Sequence, residues 1–277
     1  MTRPSGRQLG GTVLTVFVMS AFVGLYAPLV LVVINAFNKN VLLTSWAGFT
    51  WKWVKQAIDS GRVRQDFLNS AEVAIVSSVL ALAIAVPAGL WARTASRRGR
   101  QILDATTYMR IVLPEIVAAL GLLILFSRLH VALGIDTVII GHVVFNSAYA
   151  IVIVQARLAT MTTVLEDVAA DLGARPWRVF RRVTFPFLLP ALVVAWLLAF
   201  AFSFDDVITS TFLAGSGTET LPMLIFGLAR FRVDPEVNAI GAGLMVITLA
   251  CLGFTLLVAH GRVTGGLILG GRARRET

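Results

Sequence analysis

Six long stretches of mostly apolar residues restrict the fold of this chain more than any other feature. A transmembrane helix needs roughly 20 mostly apolar residues to cross a hydrocarbon layer about 30 Å thick. Lipid offers the backbone no hydrogen bonds, and these runs are too continuous for alternating barrel strands, so each is predicted to be a helix. The predicted spans are residues 11–37, 69–92, 108–126, 137–157, 187–204 and 237–260.

Composition excludes the common soluble classes. The 277 residues are 57% hydrophobic and only 14% charged, whereas a soluble domain carries about 25% charged residues. We therefore predict an all-α, polytopic membrane protein with six transmembrane helices in a single domain over residues 1–277. The net charge of +9 comes from short basic clusters between apolar runs, so nucleic acid is not expected as a partner.

The sequence gives little support for a catalytic nucleophile or a metal site. Cys251 is the only cysteine and lies inside an apolar run. His130, His142 and His260 are far apart and form no metal-binding pattern. We expect no catalytic residues, no metal ligands and no bound cofactor.

Basic residues are concentrated on one side of the predicted spans. Because loops rich in Lys and Arg stay in the cytoplasm, both termini and two Arg-rich loops are predicted to be cytoplasmic, in the inner membrane. The basic residues on the predicted cytoplasmic side are Arg3, Arg7, Arg93, Arg97, Arg98, Arg100, Arg110, Arg157, Arg175, Arg178, Arg181, Arg182, Arg262, Arg272, Arg274 and Arg275.

The outer segment 38–68 is long enough to have structure of its own. It contains Trp46, Trp51 and Trp53, which are predicted to be interfacial anchors. Asn69 or Ser70 at its end is predicted to cap the second span.

The segment between the fourth and fifth spans, residues 161–190, is amphipathic rather than apolar. Thr163 and Glu166 form a Thr-x-x-Glu capping box, which predicts that a helix begins there. Gly173 is predicted to end this helix in a left-handed conformation. Pro176 then suits the first turn of a second short helix that runs to about residue 183.

The second short helix is predicted to end at Pro186, which cannot continue it. Apolar side chains lie on one side of this helix and arginines on the other, so the helix pair needs a partner to cover it. A cytoplasmic protein could dock there, or the pair could lie on anionic lipid. The apolar side chains are Trp177, Phe180 and Val183.

Three acidic residues fall at membrane depth, where ionisable groups are costly and usually mark a pathway. Glu115 follows Pro114 and lies roughly 10 Å inside the third predicted span. Asp205 and Asp206 end the fifth span, and the apolar stretch after them is predicted to be a short re-entrant or interfacial helix. Nearby aromatic rings could attract ammonium groups. They are Phe145, Tyr149, Phe200, Phe202 and Phe204.

Structural roles remain as alternatives for these acids. Asp205 and Asp206 could form an outer helix cap, and Glu115 could bind the backbone that Pro114 frees. No Lys or Arg is expected deep in a span, so the carboxylates would be unpaired unless a neighbour or a passing solute compensates them.

One motif resembles a known family, the membrane-spanning permease subunits of ABC importers. Their signature is Glu-Ala-Ala, three residues, Gly, nine residues and Ile-x-Leu-Pro. The matching residues are Asp167-Val168-Ala169, Gly173 and Val183-Thr184-Phe185-Pro186, with both spacings kept. The substitutions preserve charge or apolar character.

The resemblance implies that residues 161–186 form a coupling segment, which docks on a dimer of cytoplasmic ATPase subunits. The implied coupling residues are Glu166, Asp167, Ala169, Gly173, Trp177, Val183 and Pro186. The chain has no Gly-Lys-Ser/Thr phosphate loop, so ATP is expected to be bound and hydrolysed by another polypeptide.

A narrower resemblance covers roughly residues 67–259. Ser203-Phe204-Asp205-Asp206-Val207-Ile208-Thr209 and Leu113-Pro114-Glu115-Ile116-Val117 are similar to the second permease subunit of spermidine/putrescine importers. This implies an external solute-binding protein, a second permease chain in a heterodimer, and a small cationic solute, although permeases for opines share much of the pattern.

Three functions from different classes follow. The leading hypothesis is a permease subunit of an ATP-driven importer with a solute path along Glu115, Asp205 and Asp206. The second is an ion-coupled secondary transporter that uses the same carboxylates, although no inverted repeat is evident. The third is an intramembrane enzyme, which lacks any grouping of catalytic side chains at one depth.

Overall fold

The computed structural model describes the backbone of residues 6–231 and 234–273 and the side chains of residues 14–231 and 234–257. The predicted cytoplasmic Arg3, Arg274 and Arg275 lie outside the described residues. Helices dominate the described part, which contains no strand beyond one isolated bridge between Asn38 and Phe49. The helices are α1 (Gly6–Asn35), α2 (Lys52–Asp59), α3 (Gly61–Thr94), α4 (Arg97–Val112), α5 (Glu115–Arg128), α6 (Ile135–Ala159), α7 (Val164–Asp171), α8 (Pro176–Val179), α9 (Phe185–Phe204), α10 (Ile208–Leu213), α11 (Leu221–Phe231) and α12 (Pro235–Ala273).

The helices confirm the prediction of an all-α membrane protein. Five of them are long and apolar enough to cross a membrane within the described ranges. The pair α4 and α5 adds a sixth span if it is counted as one, but it is bent by 106°.

The third predicted span is therefore broken, and the straight helix expected over residues 108–126 is wrong. Leu113 adopts an extended conformation between the two helices, as expected for a residue that precedes proline. Pro114 caps α5, so Glu115 is its first residue rather than a residue inside a longer helix. The break brings a carboxylate to the positive end of a helix dipole.

The second span begins earlier than predicted. Asn69 and Ser70 lie inside α3, which starts at Gly61, so the prediction that they cap it is wrong. Asn69 Nδ2 instead donates to the Glu219 carbonyl at 2.8 Å, and Ser70 Oγ accepts a 2.8 Å bond from the Leu221 N–H. Both side chains thus hold the start of α11.

The described residues fall into two compact units, one within 1–64 and 227–245 and the other within 65–226 and 246–277. In the first, Trp53 is buried with Ala36, Ala239 and Ala242. Its Nε1 donates to the Asn38 carbonyl at 2.8 Å, so the prediction that Trp53 is an interfacial anchor is wrong. Trp46 and Trp51 are exposed, as such an anchor requires. The prediction of one domain over the chain stays a prediction.

The second unit contains the packing that positions the polar groups. Helices α6 and α9 lie side by side, with Ala150 and Ala195 among the buried residues of their shared core. Helix α10 lies directly against α6 at Gly141, where an added Cβ would come within 2.5 Å of Leu213 Cδ1. Small residues at such contacts let the backbones of membrane helices approach closely.

Candidate functional site

A cavity of about 520 Å³ lies beside the junction of α9 and α10. All three acidic residues singled out in the sequence, Glu115, Asp205 and Asp206, line it. Its other lining residues are Phe145, Ala201, Phe202, Val207, Ile208, Thr248 and Leu252. The structure therefore brings together carboxylates that lie on different elements.

A short helix, α10, follows the two aspartates as predicted, and the Asp206 carboxylate binds N–H groups of its first turn. Its Oδ1 accepts the Thr209 N–H at 3.3 Å, and its Oδ2 accepts the Ser210 N–H at 2.9 Å. The Ser210 hydroxyl donates to Oδ2 at 3.1 Å. These bonds satisfy helix-end N–H groups that lipid could not.

His142 is the partner of Asp206 that the sequence reasoning missed. Its Nε2 lies 3.0 Å from Asp206 Oδ2, and its Nδ1 hydrogen-bonds to the Ser203 hydroxyl. Ser203 Oγ in turn lies 3.0 Å from Ser77 Oγ on α3. The rule that flagged the acids, that ionisable groups are rare at membrane depth, also applies to a histidine inside an apolar span.

Glu115 reaches the same cluster from α5. The Thr209 hydroxyl donates to its Oε1 at 3.0 Å, and both Glu115 and Asp206 line the same cavity. The alternative role of Glu115, a hydrogen bond to the backbone freed by Pro114, is not seen among the described residues, where its carboxylate instead binds Thr209 of α10.

Two aromatic rings, Phe145 and Phe202, line the cavity, and a third ring and an arginine lie beside them. Phe145, Tyr149 and Phe202 form a group with centroid separations of 5.1, 5.4 and 6.3 Å. The Arg110 guanidinium lies 4.8 Å from the centre of the Phe145 ring. Phe204, by contrast, is a core residue that is 1% exposed.

The segment between α6 and α9 forms the predicted pair of short helices. Gly173 follows α7 with φ of +80°, a left-handed conformation that suits glycine. Pro176 begins α8 as predicted. The turn and both helix starts were therefore predicted correctly from the sequence.

The predicted stop at Pro186 is wrong, although α9 begins close to the predicted start of the fifth span. A π-helical turn, Phe180–Thr184, joins α8 to α9, and Pro186 lies in the first turn of α9. The Phe185 N–H bonds to the Phe180 carbonyl, so the wider turn continues the helix just before a residue that has no N–H to donate. Pro190 also lies inside α9.

The predicted capping box is wrong as well. Helix α7 begins after Thr163, but its cap makes no side-chain hydrogen bond. Glu166 instead forms a 2.9 Å ion pair with Arg93 of α3 and accepts a 2.6 Å hydrogen bond from the Thr184 hydroxyl. Partial burial of the Glu166 carboxyl opposes ionisation, but the bonds from Arg93 and Thr184 prevail and hold its pKa below the usual value.

The coupling segment presents an apolar surface, which we define as Val164, Leu165, Val168, Leu172 and Trp177. All five side chains are exposed, and Leu172 is 83% exposed. Asp167, Gly173 and Pro186 are exposed beside them, whereas Ala169 and Val183 are half-buried. Contiguous apolar surface of this kind marks an interaction site.

The fold and these surfaces define a helical membrane transport subunit with a cavity that three carboxylates line and with an exposed helix pair. Residues 81–263 match the family described as the binding-protein-dependent transport system inner membrane component. The chain belongs to this family of ABC importer permeases. It is a multi-pass inner-membrane protein and a transport permease rather than an enzyme, and the family decides against an ion-coupled secondary transporter.

Named relatives support the narrower resemblance. The spermidine/putrescine transport system permease protein PotC of Haemophilus influenzae is 34% identical over 247 residues, which cover 88% of this chain and 95% of the relative. The putrescine transport system permease protein PotI of Escherichia coli K12 is 34% identical over 246 residues, with 86% and 87% covered.

A chain of a bacterial ABC transporter involved in the import of alginate has the same fold, with a TM-score of 0.72. Its sequence is 14% identical, and the match covers 92% of this chain and 98% of that one. The expected permease fold is thus confirmed.

Proposed function

We propose that this permease carries a small polycation of the putrescine/spermidine class. The carboxylates that line the cavity, Glu115, Asp205 and Asp206, support this proposal, because they place negative charge beside aromatic faces. The relatives named for putrescine and spermidine transport point to the same solute class.

Uptake measurements test this proposal. Cells that contain the complete transporter should take up radiolabelled putrescine, and cells that lack this chain should lose that uptake until the chain is restored. Excess unlabelled spermidine should compete, whereas glutamate, an anionic solute, should not. Uptake that is unaffected by loss of this chain would contradict the proposal.

The coupling segment is proposed to dock on an ATPase dimer in the cytoplasm. Its exposed apolar surface and Gly173 turn support this role, with Glu166, Asp167, Ala169, Trp177, Val183 and Pro186 as the remaining coupling residues. ATP would be bound by that partner, and this chain would hold no cofactor. An arginine-edged surface could also lie on anionic lipid, but the family works in binding-protein-dependent transport systems.

Membership in the ABC importer permeases also suggests the other partners of this chain. We propose a second permease chain in a heterodimer, an external solute-binding protein and cytoplasmic termini. Purification of the complex in mild detergent tests the assembly: a second permease and an ATPase should copurify with this chain. Recovery of a homodimer of this chain would contradict the heterodimer.

A further inference from the structure

Asp205 and Asp206 are adjacent in the sequence but differ in their surroundings. A carboxylate offers about four lone-pair sites to hydrogen-bond donors. Asp206 meets four donor groups: the N–H groups of Thr209 and Ser210, the Ser210 hydroxyl and His142 Nε2. Its side chain is 9% exposed. Asp206 therefore has little remaining capacity to bind a solute.

Asp205 also lines the cavity but is exposed there. Within the described residues, its carboxylate forms no hydrogen bond or ion pair with a neighbouring side chain. Glu115 already accepts a hydrogen bond from the Thr209 hydroxyl and is half-buried. Asp205 is thus the carboxylate of this cluster that remains open to an ammonium group.

His142 is held in one orientation by a chain of hydroxyl groups. Its Nδ1 meets Ser203, Ser203 lies 3.0 Å from Ser77 Oγ, and Ser77 Oγ lies 3.5 Å from the Ala74 carbonyl. When the imidazole is neutral with its proton on Nε2, Ser77 donates to Ser203 and Ser203 donates to Nδ1. When the imidazole is charged, the same bonds run in the opposite direction and end on the carbonyl oxygen. His142, Ser203 and Ser77 therefore each keep a hydrogen-bond partner in both protonation states of the imidazole.

We propose that His142 is a positioning residue of the solute path, which fixes Asp206 at the start of α10 so that Asp205 receives the ammonium group of the solute. This assignment rests on the proposed transport of a polycation. It gives the two adjacent acids different roles: Asp206 is structural, and Asp205 binds the solute.

Kinetics of radiolabelled putrescine uptake by the complete transporter in cells test the assignment. Asp205→Asn should raise the KM about tenfold or more, because a charged hydrogen-bond partner of the solute is lost. Asp206→Asn and His142→Leu should lower Vmax about tenfold and leave KM within about twofold. The double variant should be no worse than either single variant, because both residues act as one unit.

Conservative variants distinguish positioning from general destabilisation. His142→Gln can place an amide N–H near the position of Nε2, so it should retain about fivefold more Vmax than His142→Leu. His130→Asn, at an exposed histidine in the turn after α5, is the matched control and should keep the wild-type kinetics. Immunoblots of the membrane fraction normalise each rate to the amount of protein.

If His142→Leu does not reach the membrane, Ser203→Ala provides the same test with a smaller change, and its Vmax should fall about threefold with an unchanged KM. An Asp206→Asn variant that raises KM as much as Asp205→Asn would overturn the assignment, as would multiplicative losses in the double variant. Wild-type cells that show no putrescine uptake dependent on this chain would instead overturn the proposed function on which it rests.

Discussion

Glu166 shows how one side chain can join distant segments. Its carboxylate binds Arg93, 73 positions earlier in the chain, and Thr184, 18 positions later. These partners lie at the end of α3 and in the π-helical turn before α9. The ion pair with Arg93 and the hydrogen bond from Thr184 together hold α7 to two elements that lead into the membrane.

Glu166→Gln should destabilise the protein by about 1–2 kcal/mol at pH 7, because a charge-assisted hydrogen bond is lost. The folded-state pKa of Glu166 is lowered, so its stabilisation is present above the unfolded value of 4.5 and is lost as pH falls through the folded pKa. Thermal unfolding of the purified complex should show a difference between wild type and variant at pH 7 that shrinks below pH 4.5.

The neighbouring carboxylate provides the control for this prediction. Asp167 is exposed, so Asp167→Asn should change the unfolding temperature far less. An equal effect of both variants at pH 7 would indicate that the contacts of Glu166 contribute nothing specific.

At the scale of elements, close helix contacts fix where the acids lie. Gly141→Val should displace α10, because a Cβ at this position would lie 2.5 Å from Leu213 Cδ1 and 2.8 Å from Thr209 Cγ2. The displacement would move Asp206, so uptake should fall at least about tenfold, a loss typical of a misplaced binding group. Gly121→Val, on a helix with open space around the glycine, should retain uptake. Equal activity of the two variants would contradict the role of this contact.

The turn between α7 and α8 is the second element that can be tested. Gly173 has φ of +80°, which costs a residue with a Cβ roughly 1–2 kcal/mol. Gly173→Val should leave the chain in the membrane but uncouple ATP hydrolysis from uptake, because the helix pair can no longer turn there. Gly173→Asn tolerates this conformation better and should retain more coupling. Normal coupling in the valine variant would count against the turn as a coupling element.

At the scale of the whole molecule, the exposed apolar surface predicts where the chain meets its partner. Cys251 is the only cysteine, so a Cys251→Ala background with Trp177→Cys gives a single site for crosslinking. In purified complexes this site should crosslink to the ATPase, and a cysteine at Val144, on the apolar surface of α6, should not. Crosslinks from position 177 to lipid alone would refute docking.

The sequence by itself determined the approximate positions of five membrane spans, the turn at Gly173 and the start of α8. Lipid imposes one requirement on every residue of a span, so apolar length reveals the spans, and a glycine or proline acts on its own local backbone. The tertiary structure alone decided that His142 meets Asp206, 64 positions away, and that Glu166 meets Arg93 rather than capping α7. Such pairs depend on the rotation and register of packed helices, and apolar faces of similar composition allow many registers. The same reason explains why the position of Glu115 beside Thr209 could not be predicted.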